Sequence, residues 1–383
     1  MSTPPALNND MRPTPAWEEE ARRQFLITVK RFANLDLQKA VRGLVAKEIR
    51  PRLEKELGRP LENTRHDRGL VARALEGAPL YQAWEAMTYI SQGMMWSLIE
   101  DVLEYDLPRL ERVAAAENAR SDPLGSVELD PELTVPRYIA KHEIHRQPGG
   151  FALDKGPDDI TAGAIYAGGG LIYGPGKQPT NQVGYGASGF VIAQIDERFP
   201  DFKPRTILDV GCATGVNTVN YAQRYPEAKV YGIDCAPGFV RYAHALAENQ
   251  KVAVHFKQMN AEALSFPDES FDLVVSHIVC HETSPQALPR VIAECWRVLR
   301  PGGVVLHMDV PTQVDFVTLA DQVMNDWQVR HNGEHFWTGW AEADVRALML
   351  EAGYPESVII AEHARREGQA GPAWFLHGAR KPA

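Results

Sequence analysis

Residues 206–218 read TILDVGCATGVNT, a β-branched and apolar run, a turn bounded by glycines, and the beginning of a helical pattern. TILDV suits a strand buried on both faces. Gly211 lets the backbone turn sharply and approach a ligand, and Gly215 lets the N-terminus of the following helix come close to it. A dinucleotide-binding turn would need G-x-G-x-x-G, but small residues fall at 211, 213 and 215, and Val216 stands where the third glycine belongs. This disfavours a nicotinamide dinucleotide.

Outward from that turn, KVYGID, VHFKQM, FDLVVSH and GVVLHMDV are further strand-like runs, separated by helical stretches such as PGFVRYAHALAEN and LPRVIAECWRVLR. Strands alternating with helices specify a parallel sheet covered on both faces. SVIIAEHA and AWFLHGAR follow, joined by REGQAGP, a connection too short for anything but an antiparallel pair. The expected fold is a doubly wound, mainly parallel seven-stranded α/β sheet over residues 190–383, behind an all-α segment over 15–148. Asp234, ending the second strand, is placed to accept two hydrogen bonds from a ribose diol.

From about Pro204 to Pro311 the sequence resembles the class I S-adenosylmethionine-dependent methyltransferases, nearest in texture to the branch of ubiquinone and menaquinone C-methyltransferases. LDVGCATG matches the glycine-rich first motif, YGIDCAP the second, MNAEALSFPDESFD the third and VLRPGG the approach to the fifth strand. The resemblance implies a Rossmann-like methyltransferase fold with S-adenosyl-L-methionine as cofactor. It also implies that Gly211, Ala213 and Gly215 wrap the methionine part, that Asp209 lies near the ammonium group, that Asp234 holds the ribose, and that Asn260 and Ala261 face the adenine. Cys235 and Ser276 are counted with this set. Two residues depart from the family pattern: Ala213 replaces a glycine, in a turn expected to tolerate the methyl group, and Asn260 replaces an aspartate while keeping an acceptor oxygen.

Residues 275–284, VSHIVCHETS, then fall at and beyond the carboxyl end of the fourth strand, where such sheets bind ligands. His281 is the expected proton-handling residue, oriented by Glu282 or by Asp309 from the fifth strand, with His277 in the same catalytic set. A metal held by His277, His281, His307 and Asp309 is conceivable, but strand-end residues point to alternate faces, and the favoured reading is a pocket wall or base without metal. An insert over residues 311–340 brings Trp327, His335, Phe336, Trp337 and Trp340. With His307, and with Tyr166, Tyr173 and Tyr185 from an upstream glycine-rich segment, these are expected to enclose an aromatic acceptor pocket; the alternative is an ordinary packing cluster.

That upstream segment, Gly149 to Gly189, holds 12 glycines in 41 residues, too many for helix on propensity alone. AIYA–GGG–LIYG reads as a short hairpin over a glycine turn, and the whole segment as a lid or linker. Around GPGK neither the first glycine nor the Ser/Thr of a phosphate-binding P-loop is present. Upstream, residues 1–14 read as a loose polar tail, and the stretch from Trp17 to about Asn118 is helical in spacing, with a Met- and Trp-rich stripe that is either core or a homodimer face.

The chain of 383 residues has a formal charge of −10 and a pI near 5.7, which argues against a nucleic-acid groove and for a small-molecule acceptor. A macromolecule-modifying enzyme and a metal-assisted one are the alternatives. No run is long and apolar enough to span a membrane, the four cysteines form no C-x-x-C pair, and a cytoplasmic location is expected.

Overall fold

The computed structural model describes residues 10–173, 186–312, 317–365 and 374–383. Helix α1 (Trp17–Arg31) runs through π-type turns into α2 (Gln38–Leu44) and α3 (Arg50–Leu57), then α4 (Arg65–Glu76) and the forty-residue α5 (Pro79–Asn118). After strand β1 (Ser126–Glu128) come the short α6 (Arg137–Ala140), α7 (Thr161–Tyr173) and α8 (Gly186–Arg198). The α/β part follows as β2 (Thr206–Val210), α9 (Val216–Arg224), β3 (Lys229–Asp234), α10 (Pro237–Asn249), β4 (His255–Gln258), β5 (Phe271–His277), α11 (Leu288–Val298) and β6 (Leu299–Asp309). Helices α12 (Leu319–His331), α13 (Trp337–Ala341) and α14 (Val345–Glu351) precede β7 (Ile359–Ala364) and β8 (Trp374–Arg380).

The sheet has eight strands in the order β1-β4-β3-β2-β5-β6-β8-β7. All neighbours are parallel except that β8 runs antiparallel to both β6 and β7. The seven expected strands are all present. The eighth, β1, comes from the segment read as purely helical and extends the sheet beyond β4, pairing Ser126 with His255. Three residues are too few to register as a strand in sequence.

Alternation along the strands divides the core in two. Leu208, Val274 and Val305 pack under α11 and α14, whereas Ile207, Leu273, Val275 and Leu306 pack under α8 and α9. The N-terminal helices continue this packing: α10 is buried over all thirteen residues, and Tyr242, Ala245 and Leu246 on it join a cluster with Trp96, Ile99 and Leu103 of α5. Residues 10–14, expected to be loose, are fixed. Met11 is fully buried, its carbonyl accepts from the Tyr242 hydroxyl, and Thr14 N–H donates to Asp106 at 2.8 Å. Residues 1–9 lie outside the described residues.

The hairpin expected at AIYAGGGLIY is instead helix α7, unbroken through its three consecutive glycines. Space is the reason. A Cβ at Gly163 would lie 2.4 Å from Tyr242 Cβ of α10, and one at Gly168 2.8 Å from Ile99 of α5. Glycine lets three helices approach where any side chain would hold them apart, and this contact outweighs a propensity cost of about 1 kcal/mol per residue. The segment from 149 to 173 is therefore packed wall. The remainder of the expected lid, 174–185 with Tyr185, lies outside the described residues, as do 313–316 of the insert. Among the described residues no helix is long and apolar enough to cross a membrane.

Candidate active site

The turn between β2 and α9 holds three residues in left-handed backbone: Gly211 (φ 68°), Ala213 (φ 45°) and Gly215 (φ 77°). A Cβ at Gly211 would meet Val279 at 2.7 Å, and one at Gly215 would meet Ala243 at 2.8 Å, so space and conformation both demand glycine. Ala213 has no such freedom. The turn accommodates its methyl group, yet the positive φ costs about 1 kcal/mol. Ala213 N–H donates to Asp234 Oδ2 at 3.1 Å and Ala236 N–H to Asp234 Oδ1 at 3.0 Å, so the second-strand acid ties the glycine turn to the start of α10. Burial pushes the Asp234 carboxyl up to about 6 against the pull of these two bonds, with the charge of Glu282 adding to the rise.

The other residues expected around a cofactor divide. Asp209 is turned inward: its Oδ2 accepts from Thr218 at 2.6 Å and its Oδ1 lies 3.4 Å from His277 Nδ1. Ser276 is buried and hydrogen-bonded to His307 Nδ1 at 2.8 Å. Both side chains are buried, one residue before the ends of β2 and β5. Asn260 and Ala261 follow β4, but Asn260 Oδ1 already accepts from Glu262 N–H at 3.0 Å. Cys235 is half-buried beside Asp234, and its carbonyl accepts from Gln258 at 3.2 Å.

Beyond β5 the chain turns at Ile278, whose φ of 60° is unusual for a β-branched residue, into the 3₁₀ turn Cys280–Glu282. This carries His281 over the end of β6. Its Nδ1 donates to Asp309 Oδ1 at 2.7 Å, while Asp309 also accepts the N–H groups of Cys280 and Val310, each at 2.7 Å. Asp309 is thus the orienting partner. Burial disfavours charge on His281, but Asp309, then Glu282 and Glu334, outweigh it and raise the ring to about 9. This rise favours the protonated ring, in which His281 donates hydrogen bonds from both nitrogens.

Glu282 serves a different histidine. His145 Nε2 pairs with Glu282 Oε1 at 2.8 Å and His145 Nδ1 with Glu334 Oε1 at 2.7 Å, so one imidazole joins the turn after β5 to the loop after α12. Its own backbone (φ 55°) is pinned by Gln92 and Trp96 of α5, which both donate to its carbonyl at 2.9 Å. The pair of carboxylates, led by Glu334, overcomes burial and lifts the His145 pKa well above its ordinary value. Phe151, Tyr166 and Phe239 pack against one another at 5.2–5.7 Å and reach Ala213 and Ala236. Burial, followed by the charges of Glu282, Asp234 and Glu334, raises the Tyr166 phenol pKa.

His145, Glu334 and the Phe151–Phe239 pair were not legible as site residues. The only signal near His145 is the polar run HEIHRQPGG. His277 lies on the opposite face of the sheet, hydrogen-bonded to Tyr221 at 2.9 Å. His307 is a core residue, its ring tilted against His377 at 4.9 Å, and depressed to about 4 by burial and by His277. The set His277, His281 and His307 proposed for a metal is thereby split, and among the described residues no three His, Cys, Asp or Glu side chains are placed to share a metal ion. Trp337 does meet His281, edge-on at 5.6 Å, and His335 packs tilted against His142 at 4.2 Å. Tyr173 is at the far end of α7, donating to Gln92 at 2.5 Å. Trp327 packs on Trp84, and Trp340 in the core donates to Val310 O at 2.9 Å, so neither lines the site.

Residues 207–303 match the family model described as "Methyltransferase domain". The chain is 34% identical over 133 residues to malonyl-[acyl-carrier protein] O-methyltransferase of Hahella chejuensis, covering 34% of this chain and 44% of that one. It is 31% identical over 108 residues to demethylmenaquinone methyltransferase of Deinococcus radiodurans, covering 28% and 44%. To tRNA N(3)-methylcytidine methyltransferase Mettl2 of Drosophila melanogaster it is 28% identical over 173 residues, covering 42% and 52%. The chain spans about half the length of these relatives.

Proposed function

Because this chain carries a methyltransferase domain of the class I S-adenosylmethionine-dependent superfamily, we propose that it methylates a small-molecule acceptor held at the carboxyl ends of β5 and β6. The observation that carries this reading is the Asp234 clasp, which ties the glycine turn to a ribose-competent carboxylate at the carboxyl end of β3. Each Asp234 oxygen accepts one backbone N–H, leaving lone pairs for a diol. Gly211 to Gly215 would hold the methionine part of the cofactor, and the loop at Asn260 its adenine. Asp234, Glu282, Glu334 and Asp309 outnumber His145 and His281, a surplus of negative charge that suits a cationic sulfonium. S-adenosylmethionine supplies the activated methyl group and its leaving group. What the protein adds is position and dryness: His281 is 2% exposed and Glu334 8%. Groups this deep favour an acceptor small enough to enter whole, and the acidic balance of the chain disfavours RNA.

Calorimetry against S-adenosylmethionine and NAD, followed by incubation of methyl-labelled S-adenosylmethionine with separate small-molecule, protein and RNA fractions, tests this. Cofactor binding with label in the small-molecule fraction is expected. Label confined to protein or RNA, or no cofactor binding, would refute it.

A further inference from the structure

Resting on that reading, we propose that the acceptor is a hydroxyl compound, its oxygen seated between His281 Nε2 and Glu334 Oε2, with Glu334 as the catalytic residue that takes its proton.

Glu334 is more than nine-tenths buried, and its two oxygens differ. Oε1 is engaged by His145 at 2.7 Å, whereas Oε2 is buried with no hydrogen-bond partner among the described residues. A buried acceptor left open is costly unless something fills it in use. Facing it is His281, whose Nδ1–H is committed to Asp309; the carboxylates of Glu282 and Glu334 both face Nε2, which favours the protonated ring and makes Nε2 a donor. Nε2 and Oε2 are 3.7 Å apart. That is too long for a direct hydrogen bond, yet one atom at an ordinary length of about 2.8 Å reaches both. Trp337 closes one side of His281, and Glu282 Oε1, 4.0 Å from the same Nε2, is held back by His145.

The atom in that gap must accept from His281, donate to Glu334 and still hold a lone pair for attack. A neutral amine nitrogen has one lone pair, which accepting from His281 would consume. A hydroxyl oxygen has two. As the acceptor oxygen forms its bond to the methyl carbon, the carbon–sulfur bond breaks with its electron pair kept by sulfur, and the hydroxyl proton passes to Glu334 Oε2. The charges fit: the His281 ring is protonated at neutral pH, and Glu334, despite burial, is held ionised below the usual carboxylate range by His145 and His281. His145, bonded to both Glu282 and Glu334, is a positioning residue that presents the free oxygen.

Two measurements test this. In the first, 4-methylphenol and 4-methylaniline, matched in shape and both uncharged at neutral pH, are titrated calorimetrically into protein saturated with S-adenosylhomocysteine. The phenol should bind at least about tenfold tighter, because its oxygen accepts from His281 while donating to Glu334, which the aniline nitrogen with its single delocalised lone pair cannot do. Glu334→Gln should erase that difference, and Glu334→Asp should retain part of it. In the second, labelled product from the small-molecule fraction should carry its methyl on oxygen. Glu334→Gln should lower turnover about 100-fold or more, with affinity for S-adenosylhomocysteine, whose sulfur is uncharged, unchanged as the check on folding. Equal binding of the two probes, or no binding of the phenol, overturns the hydroxyl assignment, as does a methyl found on nitrogen, sulfur or carbon. Those outcomes leave the methyltransferase reading standing; absent cofactor binding sinks both.

Discussion

At the scale of single residues, backbone strain gathers around the crevice. Six non-glycine residues among those described have positive φ; Ala213, Ile278, His145 and the adjacent Arg146 are four of them. Such conformations persist where surrounding contacts over-determine them. Ala213→Gly should therefore stabilise the protein by about 0.5–1 kcal/mol in urea unfolding, the relief of left-handed alanine exceeding the added freedom of the unfolded chain. A loss of stability would show that the alanine methyl contributes more by packing. His281 gives a pH test. Its pKa of about 9 exceeds the unfolded value of about 6.5, so the stabilisation from its protonated form is complete below pH 6.5 and fades as pH rises through 9. Between pH 6 and 10 the wild type should lose about 3 kcal/mol more than Asp309→Asn, and parallel curves would contradict the pairing. The glycine turn and Asp234 were legible because their chemistry is local and their spacing fixed. His145 was not, since its partners Glu282 and Glu334 stand 137 and 189 residues away and no short pattern encodes such a meeting.

At the scale of elements, α7 shows why propensity misled. Counting glycine against helix is sound for a solvated segment, but in α7 the missing side chains at Gly163 and Gly168 each admit a neighbour. Substitutions separate the two effects. Gly163→Ala would drive a methyl group into Tyr242 and should cost about 2–3 kcal/mol, whereas Gly170→Ala, with open space around it, should gain about 1 kcal/mol. Urea midpoints for both variants check this, and two shifts of the same sign would mean that propensity alone governs the helix. The strands were read correctly for the converse reason: both faces of a parallel sheet are buried, so composition and burial agree. The short β1 and the turn at Ile278 fell below what period or composition can reveal.

At the scale of the whole molecule, the N-terminal helices are part of one core with the sheet. Helix α10, with every residue buried, lies between the sheet and α5 and α7. A fragment of residues 186–383 should consequently lack a cooperative unfolding transition and bind a hydrophobic dye, because the face carrying Tyr242, Ala245 and Leu246 would be bare. A sharp two-state melt of that fragment would establish the α/β part as an independent unit. The charge clasp at His145 makes the same point, since it draws on α5, the segment before α7, the end of β5 and the loop after α12.

The position of β8 bears on how this sheet is assembled. β7 precedes β8 in the chain yet lies outside it in the sheet, so β7 has no place until β8 is set against β6. The two strands therefore add to β6 either together as a hairpin or with β8 first, and the β6 edge, rich in valine and leucine, stays bare until β8 is in place. That interval is the one in which a half-folded molecule offers an unpaired apolar strand to its neighbours. The fold thus has a vulnerable moment in time, late in assembly, that nothing on its finished surface betrays.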